Sequence, residues 1–299
     1  MPLLRINATA QGLALHGSVQ SAKAVLSRAA NGQGPVVIMV HGFKYSPFDE
    51  NHCPHERIFH ADHWPHALDL AQENTLGIAF GWNGRGGLRH AYCTAHEQAG
   101  QLAQLIKTFT GNRPVHLIAH SLGATLVLAA LPYLHDGDVG RIVLLSGAAH
   151  LGLAHHALRT PAGKTCELFH VTSRENALFD HAFEHMIPDT GAIGRGLDLP
   201  QAISVRIDCP RTLGMLETLG YQLAPPQRRI CHWSSYTRPG VMALNAALLS
   251  GALPLHFLKE AVPPRPCLGD RANSLVSLQN SRIIAWYRKA KEQPHEHAY

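Results

Sequence analysis

The chain has 299 residues, 45% apolar and only 16% charged, which is enough apolar matter for a large core and argues against disorder. No apolar run reaches the roughly 20 residues that span a bilayer. The opening "MPLLRINATAQGLALHG" breaks its apolar residues with polar ones, unlike a secretory leader, so a cytoplasmic protein with no integral membrane segment is expected. The net charge of +5 is dispersed, and its densest runs, "QRR" (227–229) and "YRKAK" (287–291), lack interleaved aromatics, so no nucleic-acid partner is expected.

In chain order, the first buried-strand candidate is "PVVIMV" (35–40), ended by "HGF". "LGIAFGW" (76–82) follows and runs into "NGRGG", and the segment 95–111 then has the spacing of a one-faced helix ending at a glycine. "PVHLIA" (114–119) leads into "LGATLVLAALPYL" (122–134), a helix dense in small and apolar residues. "GRIVLLSG" (140–147), "CELFHVTS" (166–173) and "AISVRID" (202–208) are further strands. Continuous apolar runs suit strands covered on both faces, and their alternation with helices predicts an α/β fold with a mostly parallel central sheet. One domain over 1–299 is expected, with a C-terminal extension from about 250. The Pro- and His-rich segment 44–66 and the Gly- and Pro-containing segment 184–201 break the alternation, and each is expected to form a rim or lid. Six cysteines stand singly, with no C-x-x-C pair, and are expected to be reduced thiols.

The chemistry gathers at "VHLIAHSLGATLVLAAL" (115–131), a strand that turns into a helix at one serine. Such a turn strains the backbone and exposes the hydroxyl, and it requires small residues two before and two after. Ala119 and Gly123 meet that need around Ser121. The corner also places the free N–H groups of a helix start beside any oxyanion formed on Ser121.

"IAHSLGA" resembles the nucleophile elbow of the α/β-hydrolase superfamily, in particular its serine esterase and lipase-like branch of bacterial hydrolases. The resemblance spans roughly residues 30–245 and implies an α/β-hydrolase fold. It also implies that "VVIMVHGF" ends in an oxyanion loop, so that the backbone N–H groups of Phe43 and Leu122 would form the oxyanion hole. "ICHWSSY" (230–236) is similar to a closing motif of such hydrolases and makes His232 the catalytic base, with His256 as rival. The acid belongs in the turn "SRENALFD", where the resemblance, matched on Ala177 and Leu178, points to Glu175. Asp180 is the alternative acid if the turn unwinds differently, and Asp208 is a third choice. Trp82 and His120 are candidate substrate-binding residues.

Other signals have blander readings. "HAFEH" (181–185) has the H-x-x-E-H form of a zinc peptidase but lacks a nameable third ligand. The five histidines of 44–66 match no standard metal spacing, and "GWNGRGG" lacks the Lys-Ser/Thr of a phosphate loop. The expected activity is therefore hydrolysis of a small-molecule carboxylic ester through an acyl-enzyme, with no metal and no organic cofactor. A thioesterase or acyltransferase with the same triad is the alternative within the enzyme class. A degenerate hydrolase fold acting as a binding module is the alternative outside it.

Overall fold

The computed structural model describes residues 3–68 and 74–261. The chain opens with a hairpin of β1 (Leu3–Thr9) and β2 (Gly12–Leu15), followed by α1 (Ala22–Ala30) and β3 (Val36–Val40). Segment 44–66 then runs as turns with a 3-10 turn at Glu50–His52, and it ends in the short α2 (Trp64–Ala67). Strict alternation begins with β4 (Leu76–Gly81), α3 (Leu88–Lys107), β5 (Val115–His120), α4 (Gly123–Ala130) and β6 (Arg141–Leu145). After α5 (Leu151–Ala157) and α6 (Pro161–Thr165) come β7 (Glu167–Thr172) and α7 (Ala177–Met186). The two-residue β8 (Asp198–Leu199) and β9 (Ala202–Arg206) complete the sheet. The described part closes with α8 (Pro210–Thr218), α9 (Ser234–Thr237), α10 (Val241–Ser250) and α11 (Leu255–Ala261).

The strands form one sheet in the order β2-β1-β4-β3-β5-β6-β7-β9-β8. It is parallel from β1 across to β9, and antiparallel only at its two edges. Both faces are covered, as the continuous apolar runs require. In β3, Val36, Ile38 and Val40 join the core on one face, which includes residues of α1, α3 and α4. Val37 and Met39 join the core on the other, which includes residues of α2, α8 and α10. This is the expected α/β architecture with helices on both faces.

Several boundaries move for identifiable reasons. Helix α3 begins at Leu88, seven residues before the predicted start, and α4 stops at Ala130 because Pro132 tightens the chain into a 3-10 turn (Leu131–Tyr133). The opening hairpin and β8 fall outside the sequence reading. Four cysteines (Cys53, Cys93, Cys166, Cys231) are free thiols, but Cys209 is disulfide-bonded, a departure from reduced thiols throughout. Cys267 and the extension beyond Ala261 lie outside the described residues. Among the described residues no helix is long and apolar enough to cross a membrane.

One buried arginine ties the end of the sheet away from the serine corner. The Arg113 guanidinium donates to the carbonyls of Ala29, Gln33, Gly34, Pro35 and Asn74, at 2.7–3.2 Å. These carbonyls belong to the last turn of α1, the chain entering β3 and the chain entering β4. Replacing Arg113 with methionine leaves buried acceptors unpaired, so we expect a loss of about 3 kcal/mol, read as a lowered urea midpoint with an unchanged slope.

Candidate active site

Ser121 stands between β5 and α4 with φ at +52°, a left-handed conformation that non-glycine residues seldom adopt. Its backbone is held at three points: its N–H donates to Leu145 O (3.0 Å), and its carbonyl accepts from Ala124 N (3.0 Å) and Ala148 N (2.9 Å). The end of β3 presses against the corner, because β3 and β5 are neighbours in the sheet. A Cβ on Gly42 would lie 2.7 Å from Ser121 Cβ, and a Cβ on Gly123 would lie 2.6 Å from His41 O. The small residue two places after the serine is therefore required by the packing of one strand end on another.

His232 reaches this corner from the segment before α9. Its Nε2 lies 2.7 Å from Ser121 Oγ and its Nδ1 lies 2.6 Å from Asn176 Oδ1. Asn176 in turn donates from Nδ2 to Asp180 Oδ1 at 2.9 Å. That second contact orients the amide while Asp180 is ionised, because only the amide nitrogen can donate to a carboxylate oxygen. Asn176 Oδ1 therefore faces the imidazole, Nδ1 carries the proton, and Nε2 is left to accept from the serine hydroxyl. The Phe179 ring stacks on the imidazole at 4.5 Å, and the His120 ring leans on it at 4.6 Å.

The acid assignment needs correcting. Glu175 is not brought to His232 Nδ1; Asn176, the next residue, stands there. Ser173 accepts from Glu175 N and starts a 3-10 turn (Arg174–Asn176), in which each residue rotates the side chain by about a third of a turn. A one-residue error in register therefore aims a different side chain at the imidazole. The Glu175 carboxylate instead accepts from Ser173 Oγ (3.0 Å) and lies 3.5 Å from Arg238 Nη1, both side chains buried. Its carbonyl accepts from Cys231 N at 2.9 Å, which braces the residue before His232. Asp180, the alternative, meets Asn176 and not the imidazole in the contacts described above. Asp208 accepts from Arg206 (3.1 Å), and His256 is exposed on α11. The i,i+4 pairing of Asn176 with Asp180 on a helix start was the signal available in the sequence.

Phe43 and Leu122 line the same cavity as Ser121, and Leu122 is the N-cap of α4. The strand end that carries Phe43 is anchored by His41. Trp82 N donates to His41 Nε2 (3.0 Å), Trp82 Nε1 donates to His41 O (2.9 Å), and the two rings stack 5.3 Å apart. Trp82 is thus fully buried and is not among the cavity residues, which corrects its candidacy for substrate contact. The ring contact with His41 holds it inside. His120 does line the cavity, and its Nε2 lies 3.1 Å from His232 O, so it also steadies the loop that carries the base. Ser146, also at positive φ, donates to Ser235 Oγ (2.9 Å) and ties the end of β6 to α9.

The cavity has a volume of about 880 Å³. One side is apolar and comes largely from α7, through Phe179, Ala182, Phe183 and Met186. Segment 44–66 lines the cavity too, through Tyr45, Ile58 and Trp64 together with His52, Arg57 and His63. It therefore contributes to the wall. His181 and His185 are exposed on α7, and among the described residues no group of three or more His, Cys, Asp or Glu side chains is placed to hold a metal ion.

The parallel sheet, the serine corner after its central strand and the histidine delivered beyond the last strand form the α/β arrangement that the α/β-hydrolase resemblance implies. The chain is similar to solved structures at low identity. One is a lipase-esterase related protein from Clostridium acetobutylicum, with 12% identity over 64% of this chain and 95% of that one, at a TM-score of 0.35. A putative cell surface hydrolase from Lactobacillus plantarum shares 17% identity over 56% of this chain and 86% of that one, at 0.30. A metagenomic carboxyl esterase shares 15% identity over 54% and 57%, at 0.28. No family model and no curated protein sequence matches the chain.

The buried histidines make the fold acid-sensitive. Burial lowers His41 to about 3, His55 to about 2, and His116, His120 and His170 to about 4. Below about 6.5 the unfolded chain takes up protons that the folded chain refuses, so stability falls as pH falls toward 4. Asp180, raised by burial to about 7, acts in the opposite sense between about 4 and 7, one group against five. Urea midpoints measured from pH 8 to 4 should decline below about pH 6.5, by up to about 1.4 kcal/mol per pH unit for each histidine. His116→Gln should flatten that decline.

Proposed function

We propose that this chain is a serine hydrolase acting on carboxylic esters through an acyl-enzyme, with Ser121 as nucleophile, His232 as base and Asn176 as the residue that orients the base. The observation that carries the proposal is the unbroken chain from Ser121 Oγ to His232 Nε2 (2.7 Å) and from His232 Nδ1 to Asn176 Oδ1 (2.6 Å). As Oγ attacks the ester carbonyl its proton passes to Nε2, and the Phe43 and Leu122 N–H groups receive the developing oxyanion. The imidazolium then returns that proton to the departing alcohol. Water, activated by the same nitrogen, releases the acid and regenerates Ser121.

An asparagine beside the base is compatible with this chemistry only in one orientation. With its amide nitrogen toward the imidazole it would impose the wrong tautomer, a fault that costs about 10⁴-fold in a well-studied serine protease. With Nδ2 given to an ionised Asp180, the tautomer is the productive one. The reading calls for no metal or organic cofactor. The apolar side formed by α7 suits the acyl chain, and a cavity of about 880 Å³ has the size that encloses a small molecule.

The neutral Asn176 is the one observation that favours a catalytically silent binding module, and a single experiment separates the two readings. A fluorophosphonate probe should leave an adduct that mass spectrometry maps to Ser121, and Ser121→Ala and His232→Ala should abolish it. Both substitutions should lower kcat on short acyl esters by about 10³-fold or more. A folded wild-type protein that takes no probe and hydrolyses no ester would overturn the enzyme reading. A parallel series of thioesters and of alcohol acceptors separates esterase from thioesterase or acyltransferase.

A further inference from the structure

We infer that Glu175 is a positioning residue: with its main chain and its side chain it grips both ends of the segment that carries His232, and so seats Asn176, its neighbour in sequence, against the imidazole. The role rests on the reaction proposed for Ser121, His232 and Asn176, and it adds the part that holds the last two in register. Two contacts carry it. The Glu175 carbonyl accepts from the backbone N–H of Cys231, the residue before His232, at 2.9 Å. The Glu175 carboxylate lies 3.5 Å from Arg238 Nη1 on the far side of His232, and both side chains are buried. The bracketed segment, residues 231–238, contains the base and α9, and Arg238 is the C-cap of that helix. One residue of the 3-10 turn thus spans the whole segment that delivers the base, and the next residue, Asn176, meets His232 Nδ1 at 2.6 Å.

The carboxylate is held within its own turn as well as across the gap. Ser173 Oγ accepts from Glu175 N (3.2 Å) and donates to Glu175 Oε2 (3.0 Å), the same oxygen that faces Arg238. Arg238 is anchored on its other side by Nη2, which donates to Ile207 O at 3.0 Å, just past β9. The turn after β7 and the end of β9 are therefore joined through one guanidinium to the segment that delivers the base. Asp208, the other carboxylate that acts on Arg238, is shared with Arg206 (3.1 Å) and Arg174 (3.9 Å). Water screens a buried pair poorly, so the attraction is strong, and most of it offsets the cost of taking two charges out of water. The net contribution of the pair to the fold is therefore small, and its effect is on where the turn sits relative to His232.

The test separates position from stability. Glu175→Gln and Arg238→Met each strand one buried charge, so each should lower the urea midpoint. The double variant Glu175→Gln with Arg238→Met removes both charges and should recover most of that loss. It should nevertheless hydrolyse short acyl esters with kcat about tenfold below wild type and KM nearly unchanged. A purely structural pair predicts that kcat returns with the midpoint, and that result overturns the inference. A second readout is independent of turnover: in Ser121→Ala protein the His232 Nδ1–H resonance should move upfield on adding the two substitutions, as Asn176 Oδ1 loses its seat, and an unmoved resonance also overturns the inference. Should the charge variants fail to fold, Ser173→Ala keeps both charges and loosens only the turn. A folded Ser173→Ala protein about threefold slower supports the inference, and one with wild-type kcat overturns it. If wild-type protein hydrolyses no ester while the resonance does shift, the proposed reaction fails and the clamp stands.

Discussion

The site depends on a backbone conformation that the chain has to be forced into. Ser121 at φ +52° carries strain on the order of 1–3 kcal/mol, and such strain persists only where the surroundings over-determine it. The surroundings here are the parallel sheet itself. Pairing of β3 with β5 brings Gly42 against the corner, and pairing of β5 with β6 supplies the Leu145 carbonyl that takes the Ser121 N–H. Gly123 completes the constraint, since any side chain there would strike the His41 carbonyl. The corner is thus a consequence of sheet register, and its serine sits where β5 ends and α4 starts.

Histidine is abundant in this chain, with 22 residues, and the structure sorts them by burial. His41 and His120 are enclosed, kept neutral by desolvation, and used as hydrogen-bonding spacers. His41 joins the end of β3 to Trp82 at the end of β4, and His120 joins the end of β5 to the His232 carbonyl. A neutral imidazole offers one donor and one acceptor in a rigid plane, which suits it to bridging strand ends that carry unpaired backbone groups. His232 differs in facing the cavity, with both ring nitrogens committed to a line that leads to a hydroxyl.

Much of this was legible from residue order. The inner strands announce themselves as continuous apolar runs because both faces of a parallel sheet are covered, and all six predicted runs are strands. The serine corner was legible because its steric needs fall on adjacent residues. The opening hairpin was not, since its polar and apolar residues mix without the continuous run of an inner strand and its partners lie far along the chain. Helix α10 has apolar residues on every side, so it lacks the one-faced periodicity that marks α3. Trp82 looked available because it lies at the C-terminal edge of the sheet, while the ring that stacks on it lies 41 residues earlier. The partner of His232 was missed by one position, since in a 3-10 turn one residue of register decides which side chain faces the imidazole.

That turn also explains why the cavity and the hydrogen-bonded line to His232 belong together. Helix α7 begins with Asn176 as its cap, presents Asp180 in its first turn, and lines the cavity with Phe179, Ala182, Phe183 and Met186. Asn176 and Asp180 are four apart, as are Phe179 and Phe183, so one helix carries both the polar line to the base and an apolar wall. Phe179 belongs to both, stacking on the His232 imidazole while facing the cavity. A group seated against that wall displaces water from the side of α7 on which the Asp180 carboxylate lies. Drying the site strengthens every electrostatic contact within it, including the one through Asn176. In the proposed reaction the apolar pocket and the hydrogen-bonded line to His232 therefore share a single rigid element.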